Sequence, residues 1–326
     1  MKTFTPSEIT HELRRLIGTR RVVAIIDEKV DRLHGTLFPF EKIVIEATEE
    51  RKTLATAEEI VHQLLHLHAD RDTLLLGIGG GITTDLCGFV AAIYKRGVPF
   101  GFIPTTLLAM VDAAIGGKNG VNVLNFKNMI GTIRQPEFVL TCPNLLRTLP
   151  PKEFRNGVAE MLKTFIISGQ NFGESGSFFA ENELDTIFCT EAKMAQLCHF
   201  ITESRAVKER IVKEDEQEQG LRRLLNLGHT FAHALEHCAK ISHGEAVSIG
   251  IVCAAKNGHC KDIDLIVNTL KQCNLPTEIP ADIDKKMLLE AISQDKKIAE
   301  GRCNLIVIHA IGDVRIIPTA PGAILC

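Results

Sequence analysis

The chain has 326 residues, 45% of them hydrophobic and 24% charged, with a formal net charge of −3 at pH 7. That balance excludes a disordered or low-complexity chain, and it supplies no basic excess for nucleic acid or an anionic membrane. The length favours two domains or one large α/β unit.

Residues 1–21 mix acids and bases without the apolar centre of a signal peptide, and no later stretch offers about 18 uncharged apolar residues. A cytoplasmic enzyme is the expectation. Ten cysteines occur singly, without a CxxC pair, and read as reduced core residues rather than a thiolate metal site.

In chain order, residues 22–26, 42–45, 73–76 and 100–103 are short apolar, β-branched-rich runs that predict buried strands, and 53–68 predicts a helix between two of them. Strand, helix and strand in succession imply a parallel sheet covered on both faces. Beyond Pro150 the apolar residues recur at three and four positions, and strand-like runs vanish until 304–308. The Leu149-Pro150-Pro151 break therefore divides an α/β nucleotide-binding domain, 1–150, from a mainly α-helical metal-binding domain, 151–326.

The run 77–81, Gly-Ile-Gly-Gly-Gly, joins a strand to a helix start. Glycines there let a backbone approach a ligand, and free N–H groups at the helix start favour a pyrophosphate, although the run is not GxGxxG. Thr105 and Thr106 follow Pro104, and Asp112 precedes Gly116-Gly117-Lys118, a second glycine pair beside a cation suited to a substrate anion.

Further on, His229, His233 and Glu236 or His237 fall on one helical face, at spacings of four and three or four. Such a face can hold a metal or relay protons, and spacing alone suggests that His229 and His233 both ligate zinc. His243 offers a further imidazole and Glu160 a carboxylate; three protein ligands with open positions is the pattern of a catalytic zinc. His62 and His66 are also four apart but have no carboxylate or glycine loop nearby, and read as surface residues.

Taken together, these motifs resemble the 3-dehydroquinate synthase family over most of the chain. The residues that carry the likeness are Gly79 to Asp85, Arg96-Gly97, Pro104 to Leu108, Asp112 to Lys118, Lys127-Asn128, Leu149-Pro150, Gly157 to Glu160 with Lys163, Arg222 to Asn226, Gly228 to Thr230 and Asp295 to Lys297. The resemblance implies a zinc held by Glu160, His229 and His243, with cobalt as an alternative ion, and makes His233 an acid/base residue instead of a ligand. It implies NAD contacts at Asp27, Glu49, Lys52, Gly80, Gly81, Asp85, Thr105, Thr106, Lys127 and Asn156. Substrate contacts are implied at Arg96, Asp112, Lys118, Asn128, Lys163, Lys208, Arg222, Asn226 and Lys296, with Glu218 as a second acid/base residue. Within these, Lys118, Lys163, Arg222 and Asn226 join His233 and Glu218 as the catalytic set. Arg222 and Asn226, four apart, share a face if that stretch is helical.

The implied reaction is a lyase step of the shikimate pathway: 3-deoxy-D-arabino-heptulosonate 7-phosphate is oxidised transiently by NAD, loses phosphate by β-elimination, is reduced again and closes by an intramolecular aldol reaction. A homodimer is the expected assembly. Other sugar-phosphate cyclases and metal-dependent polyol dehydrogenases are the alternatives. Two departures from the family pattern stand out: residues 45–52 lack its proline and glycine before Glu49 and Lys52, and the region 251–295 is short, which predicts a trimmed helix.

Overall fold

The computed structural model describes residues 3–124, 126–239, 241–281, 283, 288, 292, 298–299, 302–319 and 324. The chain forms two compact units, Met1–Phe154 with Met194–Glu209, and Arg155–Lys193 with Arg210–Cys326.

The first unit opens with α1 (Pro6–Ile17), which starts cleanly because Pro6 sits at its first position and Glu8 reaches back to the Thr5 N–H, 2.8 Å. Then come β1 (Val22–Asp27), α2 (Glu28–His34), β2 (Glu41–Ile45), α3 (Leu54–His66), β3 (Leu74–Gly79), α4 (Gly81–Ile93) and β4 (Phe100–Pro104). The strands form one sheet in the order β2-β1-β3-β4, every pair parallel. All four predicted strands are present, and the predicted helix is α3, capped by Thr53.

Alternate residues serve opposite faces, as a pleated strand requires. Val23, Ile25 and Leu75 pack with Ile60, Leu86 and Phe89. Ala24, Ile26, Leu74 and Leu76 pack with Ile9 and Leu13 on the other side. The sequence reading did not include β5 (Lys118–Val123) and β6 (Phe126–Ile133), an antiparallel hairpin with an irregularity between Val121 and Val123.

The helical part follows as α5 (Pro151–Ser168), α6 (Phe172–Glu181), α7 (Leu184–Ile187), α8 (Glu191–Glu214), α9 (His229–Cys238), α10 (His243–Asn257) and α11 (Ile263–Gln272). The middle of α8 belongs to the first unit. A small antiparallel sheet, β7 (Ile298–Ala299), β8 (Arg302–Ala310) and β9 (Asp313–Thr319), closes the second; β8 contains the predicted strand 304–308. Of the region 251–295, expected to carry a trimmed helix, residues 251–281 hold the end of α10 and the whole of α11, and most of the remainder lies outside the described residues.

The reading of the cysteines needs correction. The described ones are free, but only Cys87, Cys142, Cys253, Cys260 and Cys273 are buried, whereas Cys189 is exposed and Cys198 and Cys238 are half-buried. Among the described residues no helix is long and apolar enough to cross a membrane.

In the second unit α9 and α10 meet backbone to backbone. Gly228 takes φ +78°, a conformation that glycine adopts without strain, and a Cβ on Gly250 would lie 2.1 Å from the Gly228 carbonyl oxygen. Rigid backbone cannot yield as a side chain would. Gly250→Ala should therefore lower stability by about 1–3 kcal/mol or more, read as a fall in the urea midpoint; an unchanged midpoint would contradict this packing.

Candidate active site

In the first unit the chemistry-bearing residues gather at the carboxyl ends of the parallel strands, where open α/β sheets bind ligands. Asp27 ends β1, Glu49 begins the turn after β2, Gly80 and Gly81 lie between β3 and α4, and Thr105 and Thr106 follow β4. The chain changes direction across the sheet between β1 and β3, which leave β1 paired to β2 and β3 paired to β4. Thr105 N donates to Gly79 O, 2.9 Å. A Cβ on Gly80 would stand 3.0 Å from Thr106 Cγ2. Glycine at the cap of α4 thus lets β3 turn into the helix close beside Thr106.

The predicted residues of this edge largely engage one another. Lys52 Nζ pairs with the Asp85 carboxylate and donates to Asn128 Oδ1, 2.6 Å. Burial pushes the Asp85 carboxyl up, against the pull of Lys52. Asp27 accepts the Lys29 N–H, 3.0 Å, and burial likewise raises its carboxyl. Lys208 donates to both the backbone oxygen and the carboxylate of Asp112, 2.6 and 2.7 Å. Arg96, Lys118 and Lys127 are exposed, and Arg96 takes φ +67°.

Asn122, which the sequence reading missed, organises the group. Its Nδ2 donates to Glu49 Oε1 and its Oδ1 accepts the Asn128 N–H, both 2.8 Å, while its own N–H donates to Lys52 O. A buried asparagine in a hairpin strand is the signal that marks it, and it is visible only once the strand is known.

The second unit holds the metal-ligand candidates. Glu160, on α5, has a side chain with 0% exposure; Lys163, one turn on, pairs with its Oε2. His229 opens α9 and His243 opens α10, and their Nε2 atoms lie 3.5 and 3.2 Å from Glu160 Oε1. One ligand atom from each of the three residues falls within 4.8 Å of the others. His229 Nδ1 faces the Leu227 carbonyl at 3.1 Å, an arrangement that keeps the proton on Nδ1 and turns the Nε2 lone pair inward. Two imidazoles and a carboxylate so disposed match the donor set of a three-ligand zinc site.

Burial by itself would raise the Glu160 carboxyl, but Lys163, His229 and His243 outweigh it and hold it well below the usual carboxylate range. Burial and Lys163 push His229 down, the form a metal requires. For His243, burial is overcome by its contacts with Glu160 and Glu236, and it is raised. His233 stands edge-on to His229, centroids 5.5 Å apart, outside the clustered ligand atoms. Spacing along one helix points to His229 and His233, whereas the clustered ligand atoms belong to His229 and to His243, which opens another helix. Asn156 Oδ1 accepts the Gly244 N–H, 3.0 Å, and a Cβ on Gly244 would lie 2.4 Å from Asn156 Cα, so α10 begins directly against α5.

Arg222 and Asn226 lie in a 3-10 turn, Leu221–Asn226, not in an α-helix. With three residues per turn, positions four apart diverge by roughly a third of a rotation, which corrects the shared-face expectation. Asn226 Nδ2 donates to Glu218 Oε1, 2.6 Å, and Glu218 takes φ +57°. Arg222 is 2% exposed. Asp215, also missed, ties this loop together by accepting the N–H groups of Gln219, Gly220 and Arg222 at 2.9, 2.7 and 3.0 Å. Lys296 lies outside the described residues.

Two family models match in tandem, 3-dehydroquinate synthase N-terminal over residues 42–156 and 3-dehydroquinate synthase C-terminal over 157–298. The 3-dehydroquinate synthase of Pseudoalteromonas atlantica is 40% identical across 94% of this chain and 90% of that protein. That of Pyrococcus abyssi is 42% identical across 89% and 84%. The chain belongs to the 3-dehydroquinate synthase family.

Among solved structures, the 2-epi-5-epi-valiolone synthase of Streptomyces hygroscopicus subsp. jinggangensis 5008, with NAD+ and Zn2+ bound, is similar with TM-score 0.83 and 26% identity over 94% of this chain and 88% of that one. The glycerol dehydrogenase of Schizosaccharomyces pombe shares the fold at TM-score 0.65 and 15% identity, over 97% of this chain and 84% of that one.

In this 3-dehydroquinate synthase family member, Lys163→Met would strand a fully buried carboxylate. The metal-free variant should lose about 3–5 kcal/mol in urea unfolding and regain part of it with zinc. Because the Glu160 carboxyl is depressed in the folded state, its contribution is present at neutral pH and lost as pH falls through the carboxylate range. The variant should show a shallower acid dependence; wild-type stability and slope would contradict the pairing.

Proposed function

We propose that this enzyme converts 3-deoxy-D-arabino-heptulosonate 7-phosphate to 3-dehydroquinate and phosphate, using NAD and a divalent metal, zinc or cobalt. Membership of the family along nearly the whole chain supports the reading, and the observation that carries it is the convergence of Glu160, His229 and His243 on one point. The NAD-binding region is 1–150 and the metal- and substrate-binding region 151–326.

When bound, NAD would take up and return a hydride, and the metal would act as a Lewis acid toward substrate hydroxyls. Glu160, His229 and His243 would hold the metal. The residues at the strand ends, Asp27, Glu49, Lys52, Gly80, Gly81, Asp85, Thr105, Thr106 and Lys127, with Asn156, would bind NAD. Arg96, Asp112, Lys118, Asn128, Lys163, Lys208 and Lys296 bind the sugar acid phosphate, whose two anionic ends need cationic and amide donors. Arg222, buried, with its backbone N–H held by Asp215 and its guanidinium donating to the Glu216 carbonyl, is the partner we assign to the substrate carboxylate together with Asn226. His233 and Glu218 hold and move protons. Their work is positioning and electrostatics, which an assembled set of ion pairs and hydrogen bonds supplies without reorganisation.

A cytoplasmic homodimer belongs to the same reading. Leu124, Phe126 and Ile130, exposed on the hairpin of β5 and β6, offer an apolar surface that a second copy would cover.

The test is phosphate release from the heptulosonate phosphate beside sedoheptulose 7-phosphate, which lacks the carboxylate. The expected result is release from the first alone, with no accumulation of NADH. Chelation should abolish it, and Arg222→Ala should lose most of the carboxylate preference. Equal turnover of both substrates would make the protein a different cyclase, and NADH formed in step with product would make it a dehydrogenase.

A further inference from the structure

Glu236 has no part in the reaction as set out above. It lies seven residues beyond His229 on α9, two turns along the same face, and its side chain is 9% exposed. Its Oε1 is 3.4 Å from Nδ1 of His243, while Nε2 of that ring is 3.2 Å from Glu160 Oε1. The His243 imidazole is therefore held between two carboxylates, one at each nitrogen. His229 is held in the same sense by a different acceptor: Nδ1 toward the Leu227 carbonyl, Nε2 toward Glu160. A metal at the Glu160-facing Nε2 would take that nitrogen's lone pair, and the acceptor at Nδ1 then holds the ring's one remaining proton.

The two histidines need this support unequally. The His229 side chain is 13% exposed and its acceptor is backbone, fixed by the turn that precedes α9. His243 is 28% exposed, and its acceptor at Nδ1 is a side-chain carboxylate rather than backbone. Without an acceptor at Nδ1 its ring could turn over and present either nitrogen to Glu160. We propose that Glu236 is a positioning residue for the divalent metal: it keeps the His243 proton on Nδ1 and so commits Nε2 to the ion. The inference rests on the metal site proposed above and adds to it the residue that orients its most exposed ligand.

The test uses the metal-free full chain, without NAD or substrate. Zinc affinity is measured by competition with a chelating indicator for wild type, Glu236→Gln and Glu236→Ala, together with the visible absorption of the cobalt forms. Glu236→Ala should bind zinc 10–100-fold more weakly and shift the cobalt bands. Glu236→Gln, whose amide oxygen still accepts from Nδ1, should fall between it and wild type. Far-UV circular dichroism and NAD affinity should not change. Zinc binding by Glu236→Ala at wild-type affinity would overturn this inference alone, whereas failure of the wild type to bind zinc would overturn the metal reading and the inference with it. Should the alanine variant not fold, nitrogen-15 NMR of the wild-type zinc form decides: His243 must be protonated at Nδ1 and metal-bound at Nε2, and the reverse would overturn the role of Glu236.

Discussion

A carboxylate with no exposure, Glu160, is the constraint around which the second unit is organised. An isolated charge there would cost far more than a hydrogen bond returns, so the fold must bring compensation to it. Lys163 comes from the same helix one turn away, and His229 and His243 come from α9 and α10. Gly228 and Gly250 allow those two helices to approach at backbone distance, and Gly244 seats α10 against Asn156 of α5. The glycines therefore act on the site indirectly, by setting how closely the helices that carry its ligands can pack.

The first unit solves a different problem. A parallel sheet buried on both faces leaves only its strand ends for chemistry, and the polar residues collect there in pairs: Lys52 with Asp85 and Asn128, Glu49 with Asn122, Lys208 with Asp112. Each pair fixes a long side chain in place. Such preorganisation limits the rotamer freedom that ligand binding would otherwise have to remove.

The β1 to β4 sheet was legible because its runs are apolar, β-branched and bounded by turns, and its connections leave few topologies. β5 was not. Its residues, Lys-Asn-Gly-Val-Asn-Val, carry turn-formers inside a strand, and a ladder irregularity near Asn122 breaks the alternation. Spacing also carries no information on partners that come from afar. His229 and His233 share a helix, but the atoms that converge on Glu160 come from helices starting 14 residues apart, a relation no local period encodes. Arg222 and Asn226 show the converse limit: four residues apart means one face only in an α-helix, and Asp215 holds this stretch in a tighter turn. The family resemblance points to His243, whose ring lies beside Glu160, where periodicity points to His233.

The central claim is that Glu160, His229 and His243 share one metal ion. Anomalous diffraction at the zinc absorption edge, on crystals of the zinc-loaded protein, tests it most directly. The account predicts a single strong peak about 2.0–2.2 Å from a Glu160 carboxylate oxygen and from the Nε2 atoms of His229 and His243. A peak held by His229 and His233, or one elsewhere with these three residues unligated, would contradict it.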